Sequence, residues 1–198
     1  MSLILASASP RRAELLRNAG ISFAVIPAHV PETSSPNESP IDYAQRLARD
    51  KALAVLARHR DDVVLGADTV VVVDQHLLEK PADTADAARM LRLLSGRTHQ
   101  VITGVCVAAA NLERTEAEVT EVSFRRLCDE EIAAYVRTGE PMDKAGAYAI
   151  QGIASRWAER IEGCYFNVVG LPVPRVYRML REAQAATGKT LLEDRTIT

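Results

Sequence analysis

Apolar and polar positions alternate along this chain in runs that switch between strand-like and helix-like spacing. Leu3-Ile4-Leu5-Ala6 is a short apolar run that reads as a buried strand. It is followed by Ser9 as an N-cap and Pro10 as a first helical residue, with Ala13, Leu15, Leu16 and Ala19 carrying a helix that Gly20 ends. Ile21 to Ile26 predicts a strand, and the polar, proline-rich segment Pro27 to Pro40 a loop. Ser39-Pro40 opens a second helix to about His59, with Asp42 completing a capping-box variant. Asp62 to Asp74 is a nearly continuous apolar strand, which Gln75-His76 turns back into Leu77-Leu78. A helix from Thr84 to Leu94 closes at Ser95-Gly96. Thr98 to Ala110 is apolar on both faces, as a central strand must be, whereas Thr115 to Phe124 alternates and belongs nearer an edge. Asp129 to Thr138 reads as a helix with acids in its first turn. Glu140 to Gly170 mixes strands and loops, and Pro172 starts a last helix to about Ala186. The expected fold is α/β, a mixed, twisted central sheet flanked by helices, with one domain over residues 1–186 and a frayed tail over 187–198.

Composition narrows the class. The chain has 198 residues, 47% of them apolar and 25% charged, enough for one substantial core. A net charge of −2 argues against a general nucleic-acid or membrane surface. No run approaches the roughly 20 apolar residues of a membrane span, and the N-terminus has no signal-peptide pattern. Cys106, Cys128 and Cys164 are widely spaced and odd in number, which suits packing roles in a reducing cytoplasm. The four histidines, at 29, 59, 76 and 99, lack metal-ligand spacing.

A few residues break the local rules, and they carry the candidate chemistry. Arg11 and Arg12 sit in the first turn of a helix, where they oppose the macrodipole unless an anion is bound there. With Ser7 and Ser9 they make either a phosphate cradle or two solvent-facing side chains. Asp68 interrupts an apolar strand, where a carboxylate must find a partner. Gly66 would kink or bulge that strand and expose Asp68 at a cleft as a metal ligand or general base; a buried, backbone-bonded Asp or a turn between two shorter strands is the alternative. Lys51 shares a helical stripe with Ala44, Leu47, Ala48 and Val55, a position from which a lysine either snorkels out, the safer expectation, or reaches a buried anion. Lys80 precedes Pro81 at a strand end, and Asp143 to Gly152 sets small residues beside charged ones. Glu32, in the proline-rich loop, reads first as a solvated acid. The chain contains no Walker-type phosphate loop, GxGxxG, HExxH or GxSxG motif.

The blocks Leu5-Ala6-Ser7-Ala8-Ser9-Pro10-Arg11-Arg12, Gly66-Ala67-Asp68-Thr69, Lys80-Pro81, Leu94-Ser95-Gly96-Arg97-Thr98-His99, Glu140-Pro141-Met142-Asp143-Lys144-Ala145-Gly146-Ala147-Tyr148, Ile150-Gln151-Gly152 and Val169-Gly170-Leu171-Pro172 run in order over nearly the whole chain. Together they resemble the Maf family of nucleoside triphosphate pyrophosphatases. The resemblance implies two lobes with a nucleotide cleft between them, a homodimer, and cleavage of the α–β phosphoanhydride with a divalent cation, Mg²⁺ or Mn²⁺. It implies that Ser7, Arg12, Lys51 and Lys80 meet the triphosphate. Glu32 and Asp68 would be the acidic, metal-holding partners, with Asp68 the proton acceptor. Arg11, Thr69 and Gln151 match the subgroup acting on dTTP and UTP, where members acting on 7-methyl-GTP resemble Trp, Gln and Glu. Gln151 presents both a donor and an acceptor, which suits a pyrimidine edge. Ala149 departs from the glycine of many relatives. Alternative readings are a purine or 7-methyl-GTP pyrophosphatase, or a nucleotide-binding regulator of cell division.

Overall fold

The computed structural model describes residues 3–192. Seven strands form one sheet in the order β2-β1-β3-β5-β6-β7, with β4 also paired to β3. The strands are β1 (Leu3–Leu5), β2 (Ala24–Val25), β3 (Val63–Val73), β4 (His76–Leu78), β5 (Thr98–Ala109), β6 (Leu112–Phe124) and β7 (Ala158–Glu162). The helices are α1 (Pro10–Asn18), α2 (Pro40–Leu56), α3 (Thr84–Leu94), α4 (Asp129–Val136), α5 (Tyr165–Val169) and α6 (Val173–Thr187). β1 runs parallel to β2 and β3, while β3–β4 and β6–β7 are antiparallel, so the sheet is mixed. No helix among the described residues is long and apolar enough to cross a membrane.

The chain divides into two compact units. The first comprises residues up to Asp68, Thr103–Ala117 and the segment from Gly170 onward. Its helices start where local chemistry dictates: Ser9 and Ser39 cap α1 and α2 with proline just inside each. On α2 the buried face is Tyr43, Ala44, Leu47, Ala48, Lys51, Ala52 and Val55. The alanines at four-residue steps keep this face thin. Opposite it, β3 and β5 present Gly66 and Gly104. A Cβ on Gly66 would lie 2.1 Å from the Ala48 carbonyl oxygen, and one on Gly104 would lie 2.1 Å from that of Ala44. The role expected for Gly66 is therefore corrected. β3 continues unbroken through it, and the glycine serves the close approach of a helix instead of a kink. Ile4, Ala6, Val64, Cys106 and Ala108 complete the core beneath α2. The expected strand Ile21 to Ile26 shrinks to two exposed residues at a sheet edge, because Ile21 gives its N–H to the Leu16 carbonyl at the end of α1.

α6 buries Val176, Met179, Leu180 and Ala183 and ends in a left-handed Gly188. Of the segment expected to fray, residues 193–198 lie outside the described residues. Before them, Gln184 Oε1 accepts the N–H groups of Leu191 and Leu192 at 2.9 and 3.1 Å.

The second unit, Thr69–Ile102 with Glu118–Val169, is built on aromatic packing. The ring of Phe124 meets those of His99, Tyr148 and Trp157 edge-on, with centroids 4.9, 4.8 and 6.2 Å apart, and Tyr135 meets Trp157 at 4.8 Å. β6 lies nearer the edge than β5, as its alternation predicts, with β7 pairing beyond it as the edge strand. The stretch after α4 folds into three short 3₁₀ turns before β7.

His99 lies fully within this cluster, its Nε2 2.9 Å from the Tyr148 hydroxyl and its Nδ1 without a partner. Burial lowers its pKa to about 4. The unfolded chain, titrating near 6.5, binds the proton first, so stability is full above about pH 6.5 and is lost as the pH falls towards 4. Urea midpoints across that window are expected to fall less steeply for His99→Gln than for the parent protein, and identical slopes would remove His99 from the effect.

Candidate functional site

The rule-breaking residues of the first unit converge. Asp68 follows Gly66 by two positions in β3, so both face α2, while Thr69 takes the opposite face. Lys51 stands on α2 one residue before Ala52, which packs at Gly66. Its Nζ donates to Asp68 Oδ1 at 2.6 Å and lies 2.5 Å from Glu32 Oε1. Lys51 and Asp68 are each only 8% exposed, and the Glu32 side chain is 42% exposed. Lys51 therefore does not snorkel, and Glu32 stays exposed in its loop while its carboxylate pairs with the Lys51 ammonium. A buried ammonium requires compensating charge, and the two carboxylates provide it with one negative charge in excess.

Arg12 also turns inward. Its Nε donates to the Gly170 carbonyl at 2.9 Å, and Nη1 donates to the Ala67 carbonyl at 2.8 Å and to Ser7 Oγ at 3.1 Å. Burial, the strongest influence, lowers the pKa of this guanidinium; Asp68 and, more weakly, Glu32 act in the opposite direction, and Arg11 adds to the lowering. Arg12 thus ties the start of α1 to the residue just before Asp68. Ser7 is buried, and its Oγ also accepts the Ser9 N–H at 3.2 Å. Arg11 is half-buried beside Arg12. The structure thus brings together Ser7, Arg12, Glu32, Lys51 and Asp68 within one unit.

Thr69, Lys80 and Gln151 belong to the second unit. Thr69 is half-buried in β3, Lys80 is exposed beyond β4, and Gln151 is exposed in the turn before the third 3₁₀ segment. The carbonyl of Glu79, next to Lys80, accepts the Gly146 N–H at 3.1 Å. The Ala67 and Gly170 carbonyls that hold Arg12 were not legible in sequence, because a main-chain acceptor has no residue signature.

Among the described residues no group of three or more His, Cys, Asp or Glu side chains forms a metal cluster. Two converging carboxylates are nonetheless a hard-oxygen donor pair of the kind that holds Mg²⁺ or Mn²⁺ together with substrate phosphates and water. Both are engaged by the Lys51 ammonium here, and they are the residues that could hold such an ion.

The fold and site define an α/β protein of mixed sheet that gathers two carboxylates, a lysine and an arginine at one point. The chain belongs to the family described as Maf-like protein, whose model matches residues 2–183. Among similar proteins is a dTTP/UTP pyrophosphatase of Koribacter versatilis, 65% identical over 92% of this chain and 95% of its own. Proteins of the same name from Geobacter sulfurreducens and Aquifex aeolicus are 54% and 45% identical, over 92% and 95% of this chain and 97% and 98% of theirs.

Proposed function

We propose that this protein hydrolyses dTTP and UTP at the α–β phosphoanhydride, yielding the monophosphate and pyrophosphate. The observation that carries the reading is the buried Lys51 ammonium bracketed by Asp68 and Glu32, with Arg12 and Ser7 beside it. It stands in a chain 65% identical to a dTTP/UTP pyrophosphatase. Cleaving a phosphoanhydride needs little covalent work from a protein: charge on the phosphates must be countered and a water aimed.

In this reading Ser7, Arg12, Lys51 and Lys80 bind the triphosphate. Asp68 orients the attacking water and accepts its proton. A divalent cation held by Glu32 and Asp68 would counter phosphate charge and polarise the phosphorus. Arg12 is pinned at three points, so its charge is presented without the entropy cost of ordering a free side chain. Arg11, Thr69 and Gln151 select the pyrimidine. The reading carries with it a homodimer in the cytoplasm, for which three cysteines present as thiols are suited.

The test is product analysis of the purified protein with dTTP, UTP, CTP, ATP, GTP and 7-methyl-GTP in Mg²⁺ or Mn²⁺. Rapid turnover of dTTP and UTP with release of pyrophosphate is expected. Nucleoside diphosphate plus orthophosphate would overturn the bond assignment, and a purine preference would overturn the base assignment.

A further inference from the structure

The turn carrying Gln151 is built on one carboxylate. Glu140, at the start of the first 3₁₀ segment, accepts the Tyr135 O–H at 2.8 Å on Oε1. The same oxygen accepts the Ile153 N–H at 3.2 Å. The Tyr135 hydroxyl in turn accepts the Ala149 N–H at 3.1 Å. Residues 149 and 153 flank Gln151 by two positions on each side, so both ends of its turn hang on this pair. Between them the Gly152 N–H closes onto the Ala149 carbonyl at 3.0 Å.

Gly152 shows how closely the carboxylate is seated. A Cβ there would lie 2.2 Å from Glu140 Oε1 and 2.6 Å from its carboxyl carbon, so a side chain at 152 and the Glu140 carboxylate exclude each other. Glu140 is itself fixed at both main-chain ends. Its N–H is accepted by Thr138 Oγ1 at 3.1 Å, and its carbonyl accepts Lys144 Nζ at 2.7 Å. Tyr135 is 1% exposed and packs edge-on against Trp157. A carboxylate that accepts from two donors in a partly buried place makes charge-assisted bonds, and these rigidify what they hold. Gln151 itself is exposed and has no rigid element of its own.

We propose that Glu140, acting with Tyr135, is a positioning residue for base selection: it fixes the Ala149–Ile153 turn so that the Gln151 amide stands in one place to read a pyrimidine edge. The inference rests on the function proposed above. It adds two residues to the specificity apparatus, neither of which reaches the base, because both spend their polar atoms on the turn.

The experiment compares kcat and KM for UTP and GTP at one Mg²⁺ concentration in the parent, Glu140→Ala, Glu140→Gln and Tyr135→Phe proteins. Glu140→Ala removes the acceptor for two donors. It is expected to lower the UTP-over-GTP ratio of kcat/KM about tenfold, mainly through a higher KM for UTP. Glu140→Gln keeps a carbonyl oxygen for the same donors and is expected to restore most of the ratio. Tyr135→Phe keeps the ring against Trp157 and loses only the hydroxyl, so it reports even if Glu140→Ala folds poorly; the ratio is expected to fall severalfold. Adding Gln151→Ala to Glu140→Ala is expected to cost little more selectivity, since two residues acting through one contact are not additive. Equal losses for UTP and GTP, or additive losses in the double variant, would overturn the inference, because damage to the fold alone lowers both substrates together. A parent protein with no preference for UTP would instead overturn the function reading itself, and the inference with it.

Discussion

Asp68→Asn is expected to lower turnover of UTP at least about a hundredfold, the lower end for losing a general base, and equivalent to about 2.7 kcal/mol of barrier. The substitution is nearly isosteric, and the amide oxygen can still accept the Lys51 ammonium that Asp68 Oδ1 now accepts at 2.6 Å. Glu32 remains on the same nitrogen, so the buried cation keeps a counter-charge. The fold should therefore persist, while the site loses both a hard anionic donor and a proton acceptor. Saturating UTP and Mg²⁺ with a parallel melting curve separates the two effects. Turnover equal to that of the parent, in a protein melting at the same temperature, would take Asp68 out of the chemistry.

How far this site could be read in advance depended on the range of each interaction. The caps at Ser9-Pro10 and Ser39-Pro40 are local, three-residue contacts, and they fall where the pattern places them. α3 spans Thr84–Leu94 as expected, for the same reason. β2 shrank because an apolar run says nothing about available partners: at the sheet edge Ala24 and Val25 form the strand, and the Ile26 N–H adds one bond to the Leu5 carbonyl. Lys51 was conspicuous on its helical stripe, but its anions lie 17 and 19 residues away in sequence, and helical spacing is silent about them. Arg12 is the extreme case, with acceptors on the main chain at Ala67 and Gly170. Glu140 lay inside a recognised block without any sign that its carboxylate would be shared between Tyr135 and Ile153. Sequence pattern located most of the residues that violate local preference. The partner that resolves each violation is a tertiary fact.

Gly104→Ala is expected to destabilise the protein by upward of about 3 kcal/mol, at or beyond the usual range for overpacking. The reason is that the new methyl meets main chain, which cannot rotate away. It would sit 2.1 Å from the Ala44 carbonyl oxygen and 2.6 Å from the Gln45 nitrogen, both on α2. The helix must lift off the sheet, and the alanine face that was thin enough to rest on Gly66 and Gly104 loses contact along its length. At about 2–4 °C per kcal/mol for a chain of this size, the melting temperature should fall by roughly 6–12 °C. The same displacement acts on the site, because Lys51 rides on α2 while Asp68 stays in β3. Activity at a temperature where the variant is fully folded should therefore drop as well, through a wider Lys51–Asp68 gap. Ala44→Gly shortens nothing that Gly104→Ala strikes, since the obstacle is the carbonyl, and is not expected to rescue it. A variant that melts within a degree or two of the parent would show that α2 can yield at no cost and that glycine does not set the seat of Lys51.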